Sequence, residues 1–206
     1  MKTYAVIDFK TTGPSTEKGD RPIEVAVVRV ERGQVMDRYH SLMNAEVPIP
    51  EAIQSLTGLS EARIRQAPSA NKVMKAVAKF IGNMPLVAHN WGFHGRFLAA
   101  EWQRIGLQPP PTGVCSLLLS RRLYPEAPDH KLGTLCKHFG LPSPQGHLTA
   151  LTDAEMTAQV MMRITTDLKR QYQLKRVPYA LLFRVQKVSK ASFVDQIQRA
   201  KQELGL

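Results

Sequence analysis

Hydrophobic positions along the chain first alternate and then settle into helical spacing. Tyr4 to Asp8 alternates into a short apolar strand, and the stretch from Thr11 to Gly19 is rich in turn formers. Ile23 to Val30 and Val35 to Leu42 read as two further strands, joined by a turn at Gly33. Together these three predict an antiparallel meander that opens a sheet. Ser60 to Gln66 is a short helix with Glu61 in its first turn, where a negative charge faces the positive end of the helix dipole. A longer helix is predicted from Asn71 to Ile81. Val73, Met74, Val77, Phe80 and Ile81 share one face of it, and Lys72, Lys75 and Lys79 line the other as a solvated stripe.

Leu86 to Ala88 is a short buried strand, and Phe93 to Ile105 is helical. After the proline-rich loop at Pro109 to Pro111, helices are predicted over Leu117–Leu123, Leu132–Phe139 and Asp153–Ile164. Strands first, then helices alternating with short strands, argue for a mixed sheet flanked by helices. The patterning weakens beyond Gln171. Ser192 to Asp195 then offers a capping box for a last helix ending at Leu204. The expected organisation is one domain over 1–165 and a C-terminal extension over 166–206.

Composition changes this picture in one respect. Across 206 residues, 28 Lys and Arg stand against 17 Asp and Glu, a net charge of +11. Such an excess favours a polyanionic partner through counterion release. From Thr166 onward nine basic residues face three acidic ones, interleaved with Tyr172, Tyr179, Phe183 and Phe193. That extension is expected to follow a phosphate backbone and to offer rings for stacking, unless it packs back on the domain. No apolar run approaches the ~18 residues of a membrane span. Asp8 and Lys10 break up any signal-peptide core, and two cysteines make no disulfide framework, so a cytoplasmic setting is expected.

Four local signatures carry the chemistry: Val6 to Gly13, Leu86 to His94, His130 to Leu135 and Ala150 to Ala154. In this order they resemble the DEDDh 3′–5′ exonucleases, the family of the proofreading subunit of bacterial DNA polymerase III, over about residues 3–165. Ile49 to Ile53 followed by Leu56-Thr57-Gly58 fits the same resemblance. It implies an α/β ribonuclease-H-like exonuclease fold with a mixed sheet of about five strands, followed here by a basic C-terminal appendage. In that family four carboxylates hold two divalent ions about 4 Å apart, and a histidine activates the attacking water.

This sequence departs from that pattern at three of five places. Asp8 and Asp153 match the first and last aspartates and are expected within reach of one ion. Lys10 stands where a glutamate belongs and His94 where the second aspartate belongs, while Leu148 occupies the position of the histidine. His147, one position early, is the displaced base if a bulge absorbs the slip. Two negative charges and one fixed positive charge replace four negatives, so two-metal catalysis is expected to be lost. Lys10 is expected to pair with Asp8 or Asp153, and His94 to lie on the polar rim. No cofactor is expected. The competing arrangement is a single Mn²⁺ or Zn²⁺ on Asp8, His94 and Asp153, which Lys10 opposes. Glu24 and Glu155 are acidic neighbours that nothing in the spacing makes ligands.

Binding residues follow from the same resemblance. The Thr11-Thr12-Gly13 turn holds the terminal nucleotide in the family. His89 and Asn90 shape the pocket or cap the following helix, and Trp91 is the candidate stacking ring. Arg121, Arg122 and Lys131 are candidate phosphate contacts. Three functions are carried forward. The first is a catalytically degenerate exonuclease-like protein that binds a single strand or 3′ end of DNA or RNA. The second is an active 3′–5′ exonuclease with an altered one-metal site. The third is a protein-interaction module, as a homodimer or within a replication, repair or RNA-processing assembly.

Overall fold

The computed structural model describes residues 2–144 and 148–206. Its strands are β1 (Thr3–Thr11), β2 (Pro22–Glu31), β3 (Gln34–Leu42), β4 (Leu86–Ala88) and β5 (Val114–Cys115). The helices are α1 (Glu51–Thr57), α2 (Glu61–Arg65), α3 (Ala70–Ile81), α4 (Trp91–Arg104), α5 (Ser116–Leu123), α6 (Leu132–His138), α7 (Ala150–Tyr172), α8 (Tyr179–Val185) and α9 (Phe193–Leu204). The five strands form one mixed sheet in the order β3-β2-β1-β4-β5. β1, β2 and β3 are the expected antiparallel meander, and β4 and β5 join β1 in parallel.

β1 is central, and its burial explains its near-continuous apolar run. Ala5, Ile7 and Phe9 pack into a core with α3 and α4, whereas Tyr4 and Val6 pack into a second core under α7. A strand covered on both faces has no polar face to show. The next two residues of the α7-facing row are Asp8 and Lys10, by the two-residue period of a strand. Chemistry therefore begins where the hydrophobic row stops. β4 pairs with β1 only at Ala5 and Val6, which leaves the β4 side of β1 open beyond that point.

α3 behaves as its pattern predicts, with Val73, Met74, Val77 and Ile81 buried and the three lysines exposed. Other elements are longer than expected or new. α7 starts at Ala150 because the Thr149 hydroxyl accepts the Thr152 N–H at 3.1 Å. It ends at Gln173, which takes the left-handed conformation. α9 lies where a final helix is expected, but Ser192 does not cap it; its hydroxyl pairs with that of Ser189 at 3.0 Å. β5, α1 and α8 are too short for periodicity to reveal.

The residues from Thr166 onward begin inside α7 and share the domain's core. Leu181, Leu182, Val185, Phe193 and Ile197 are buried in the same cluster as Val6, Val28 and Val87. Gln186 accepts the Cys115 N–H at 2.6 Å and donates to the Gly113 carbonyl at 3.2 Å, so its amide covers the free edge of β5. Tyr172 packs edge-on against Phe193, and Tyr179 stacks on Phe183. These four rings support α7, α8 and α9. Among the described residues, no helix is long and apolar enough to cross a membrane.

Candidate nucleic-acid site at the end of the central strand

Asp8 and Asp153 meet as expected, and Lys10 lies between them. The Lys10 ammonium bonds the Asp153 carboxylate closely and reaches Asp8 Oδ2 at 3.4 Å. Asp8 comes from β1 and Asp153 from the first turn of α7, packed across the sheet. Burial pushes the Asp8 carboxyl well above the ordinary aspartate range, against the pull of Lys10. For Lys10, burial favours the neutral amine, but the two carboxylates outweigh it and its pKa rises. The ammonium therefore stays charged while Asp8 drifts toward its neutral acid. The net charge of this trio falls between −1 and zero.

His94 is not on the rim. It is 7% exposed, and its Nδ1 accepts the Phe9 N–H at 3.1 Å on the stretch of β1 that β4 leaves open. With Nδ1 accepting, the ring proton sits on Nε2, which lies 3.3 Å from Asp8 Oδ1. Burial, and then the Lys10 charge, pull the imidazole down to about 3. It is a neutral donor at physiological pH. Glu24, the cross-strand partner of Lys10, is 2% exposed and binds His40 Nε2 at 2.6 Å. Its charge also acts on Asp8. Glu155 lies outside this group, paired with Arg38 on the surface.

The Thr11-Thr12-Gly13 turn is braced by a residue that sequence reasoning missed. Asp20 accepts the Ser15 N–H at 2.9 Å, and the Thr12 hydroxyl lies 3.4 Å from it. A Cβ at Gly13 would collide with that carboxylate, so a side chain there fits only if Asp20 gives up its bond to the Ser15 N–H. Arg21 closes the same loop with a two-pronged bond to Glu101 at 2.6 and 2.8 Å, and Glu101 is 2% exposed. The Asp20 contacts lie within one irregular loop, which has no periodicity to mark them, and the Arg21–Glu101 contact joins segments 80 residues apart. Phe9, Lys10, Thr11, Gly13, Leu56 and Phe93 border a mostly apolar cleft of about 300 Å³ beside the acid pair.

The remaining expected binding residues divide into structural and available ones. His89 Nδ1 lies 2.9 Å from the Ser116 hydroxyl and Nε2 donates to the His130 carbonyl at 3.0 Å; burial lowers its pKa to about 4. It ties β4 to the loop before α6. Asn90 occupies the N-cap position of α4 in the left-handed conformation, with no side-chain cap bond. Trp91 lies against Gly95 and Gly113, where any Cβ would strike its ring. The indole is half-buried and packed against both glycines. Arg122 donates to the carbonyls of Val188 and Leu118 at 2.7 and 2.6 Å and so pins the C-terminal segment. Arg121 and Lys131 are exposed and line a cleft of about 430 Å³ with His89, Asn90 and His130. Leu148 packs against the α7 core, and His147 lies outside the described residues.

Comparison with known proteins assigns the family. The exonuclease family RNase_T matches residues 5–161. The chain is 34% identical over 167 residues to the PolC-type DNA polymerase III of Bacillus cereus, covering 81% of this chain and 12% of that protein. The corresponding Bacillus subtilis protein is 34% identical over 168 residues, with the same coverage. The chain thus spans about one eighth of these relatives. Among solved structures, E. coli exonuclease I in complex with a dT13 oligonucleotide superposes with a TM-score of 0.72 at 15% identity, covering 84% of this chain and 43% of that one. The nuclease domain of 3′hExo, a DEDDh family member bound to rAMP, gives 0.66 at 20% identity, over 86% and 97%. At such identities the superpositions speak for the fold alone. With the family match over three quarters of its length, and with Asp8 and Asp153 brought together at the end of the central strand, the chain belongs to the DEDDh 3′–5′ exonuclease family.

Proposed function

We propose that this protein is a nucleic-acid-binding member of the exonuclease family in which Lys10 takes the place of the catalytic metal ions. The observation that carries this reading is the Lys10 ammonium seated on both Asp8 and Asp153. Two hard dications need several oxygen ligands and compensating negative charge. Here two carboxylates remain, one fixed cation lies between them, and a neutral imidazole lies 3.3 Å from Asp8. That donor set does not fit the two-metal centre.

Lys10 does something else that binding requires. A phosphate approaching two bare aspartates meets a charge of −2; with the ammonium in place it meets −1, and less when Asp8 holds a proton. Attraction then comes from the exposed Arg121 and Lys131 beside the site. The apolar cleft at Phe9, Leu56 and Phe93 has room for a base. DNA and RNA are both accommodated by such a backbone-and-stacking site. The relatives' name places them in DNA replication, and a replication setting is the one we propose here.

A second reading, an active 3′–5′ exonuclease with an altered site, draws support from the shared location of Asp8 and Asp153. One assay separates the two. A 5′-labelled single strand is mixed with the protein in EDTA or Mg²⁺, and both retention and length are read. Equal retention at full length in both buffers supports metal-independent binding. Shortening from the 3′ end in Mg²⁺, abolished by Asp8→Asn, establishes the enzyme.

A further inference from the structure

A large cavity lies away from the site described above. It has a volume of about 730 Å³ and sits at the opposite end of β1, where Thr3 lines it. Seven residues separate Thr3 from Lys10, roughly 23 Å along a strand. Its charged lining is of one sign. Lys2, Arg32, Lys169 and Arg176 reach it from the start of β1, the β2–β3 turn, α7 and the loop after α7, and no Asp or Glu lines it. Among the described residues none of these four cations is paired with a carboxylate; Arg176 donates only to the Leu204 carbonyl.

Four cations without a carboxylate partner, converging on one concavity, repel one another, and an anion relieves that repulsion. Arg32 adds a second, independent sign of a site. It sits at φ 51° in the two-residue turn with Gly33, where asparagine or glycine is the low-strain choice. A long cation is held there against backbone preference. Between the cations the lining combines an apolar patch of Met162, Val177, Pro178 and the Tyr179 ring with Thr3, Thr165 and Thr166. The volume suits a small molecule, and an apolar patch ringed by separated cations suits a flat body carrying several charges.

We propose that this cavity binds a nucleoside polyphosphate, its base on the Met162–Pro178 patch and its phosphates among Arg32, Lys169 and Arg176. The site is separate from the acid pair and does not depend on the function proposed for it.

The test is calorimetric titration of ATP into the full chain without divalent ions, beside tripolyphosphate and an acidic oligo-glutamate peptide. Arg32 and Lys169 are exposed, so Arg32→Glu/Lys169→Glu is expected to fold, which circular dichroism checks. Micromolar ATP binding is expected in the parent chain and in Lys72→Glu/Lys75→Glu, which moves the same charge on the exposed face of α3. The cavity variant loses affinity at least tenfold, and tripolyphosphate binds at least fivefold more weakly than ATP. Absent ATP binding, or equal affinity in the cavity variant, overturns the site. Tripolyphosphate as tight as ATP overturns the nucleoside assignment, and tighter binding of the peptide makes the cavity a protein-docking groove instead.

Discussion

The Nδ1 atom of His94 accepts the main-chain N–H of Phe9 at 3.1 Å, joining residues 85 apart in the sequence. This bond satisfies a backbone donor that β4 does not reach, and it fixes which imidazole nitrogen carries the proton. It also makes the histidine's neutrality part of the fold. Burial, then Lys10, lowers His94 to about 3, and burial lowers His89 to about 4, whereas the unfolded imidazoles titrate near 6.5.

Acid stability follows from that pair. Below pH 6.5 the unfolded chain takes up protons that the folded imidazoles refuse, so their contribution is present above 6.5 and is lost as pH falls toward 4 and 3. Each adds a slope of up to about 1.4 kcal/mol per pH unit in that window. Urea melts from pH 6.5 to 4 are expected to show this loss, reduced by up to one proton because the raised Asp8 carboxyl gains stability as pH falls over the same window. His94→Asn, which keeps an acceptor for the Phe9 N–H, is expected to flatten the slope by up to one proton. An unchanged slope means His94 is already protonated in the fold.

Removing the ammonium leaves two acids facing each other. Lys10→Met is expected to cost roughly 2–4 kcal/mol, because breaking a buried ion pair strands the remaining charge. Asp8→Asn in the same chain is expected to recover part of that cost. Denaturant melts of the two single variants and the double variant give the coupling directly. Strict additivity would mean that Lys10 and Asp8 do not interact in solution.

Arg121, Lys131 and Arg122 are expected to separate by readout. Arg121→Ala/Lys131→Ala weakens single-strand binding and lowers the slope of log K against log salt by about 1.4, that is about 0.7 for each phosphate left without its cation. Its melting temperature is expected to hold. Arg122→Ala has the reverse profile, since its guanidinium is held by the Val188 and Leu118 carbonyls. A salt slope untouched by the first variant would take the strand elsewhere.

Trp91 offers a packing test. Gly113→Ala places a methyl group against the indole and is expected to cost about 1–3 kcal/mol, with a shift in tryptophan emission. Oligonucleotide binding by the parent chain is expected to leave Trp91 emission unchanged. Strong quenching by a bound strand, in a variant retaining Trp91 alone through Trp102→Phe, would restore it as a stacking platform.

Much of this arrangement is legible in the sequence, for identifiable reasons. The meander, α3 and the meeting of Asp8 with Asp153 follow from hydrophobic period and motif order, which are local signals. Lys10 pairing with an aspartate is legible too, because opposite charges at one motif position have few other partners. His94 reads as a rim residue in sequence because its burial depends on how short β4 is, a property of sheet pairing. Glu24 and Glu101 act through contacts between separate segments, and Asp20 within an irregular loop, so none leaves a periodic trace. Charge dominates the composition of the extension, yet its apolar residues decide its place. Leu181, Val185 and Ile197 complete the core, and deletion from Thr166 would cut α7 and expose it.

The claim that Lys10 holds the metals' place is tested most directly by Mn²⁺ titration, reading free ion by electron paramagnetic resonance. The parent chain is expected to leave Mn²⁺ free through the micromolar range. Lys10→Glu, which puts a third carboxylate beside Asp8 and Asp153, is expected to bind it. Stoichiometric Mn²⁺ binding by the parent chain, abolished in Asp8→Asn, would contradict the account.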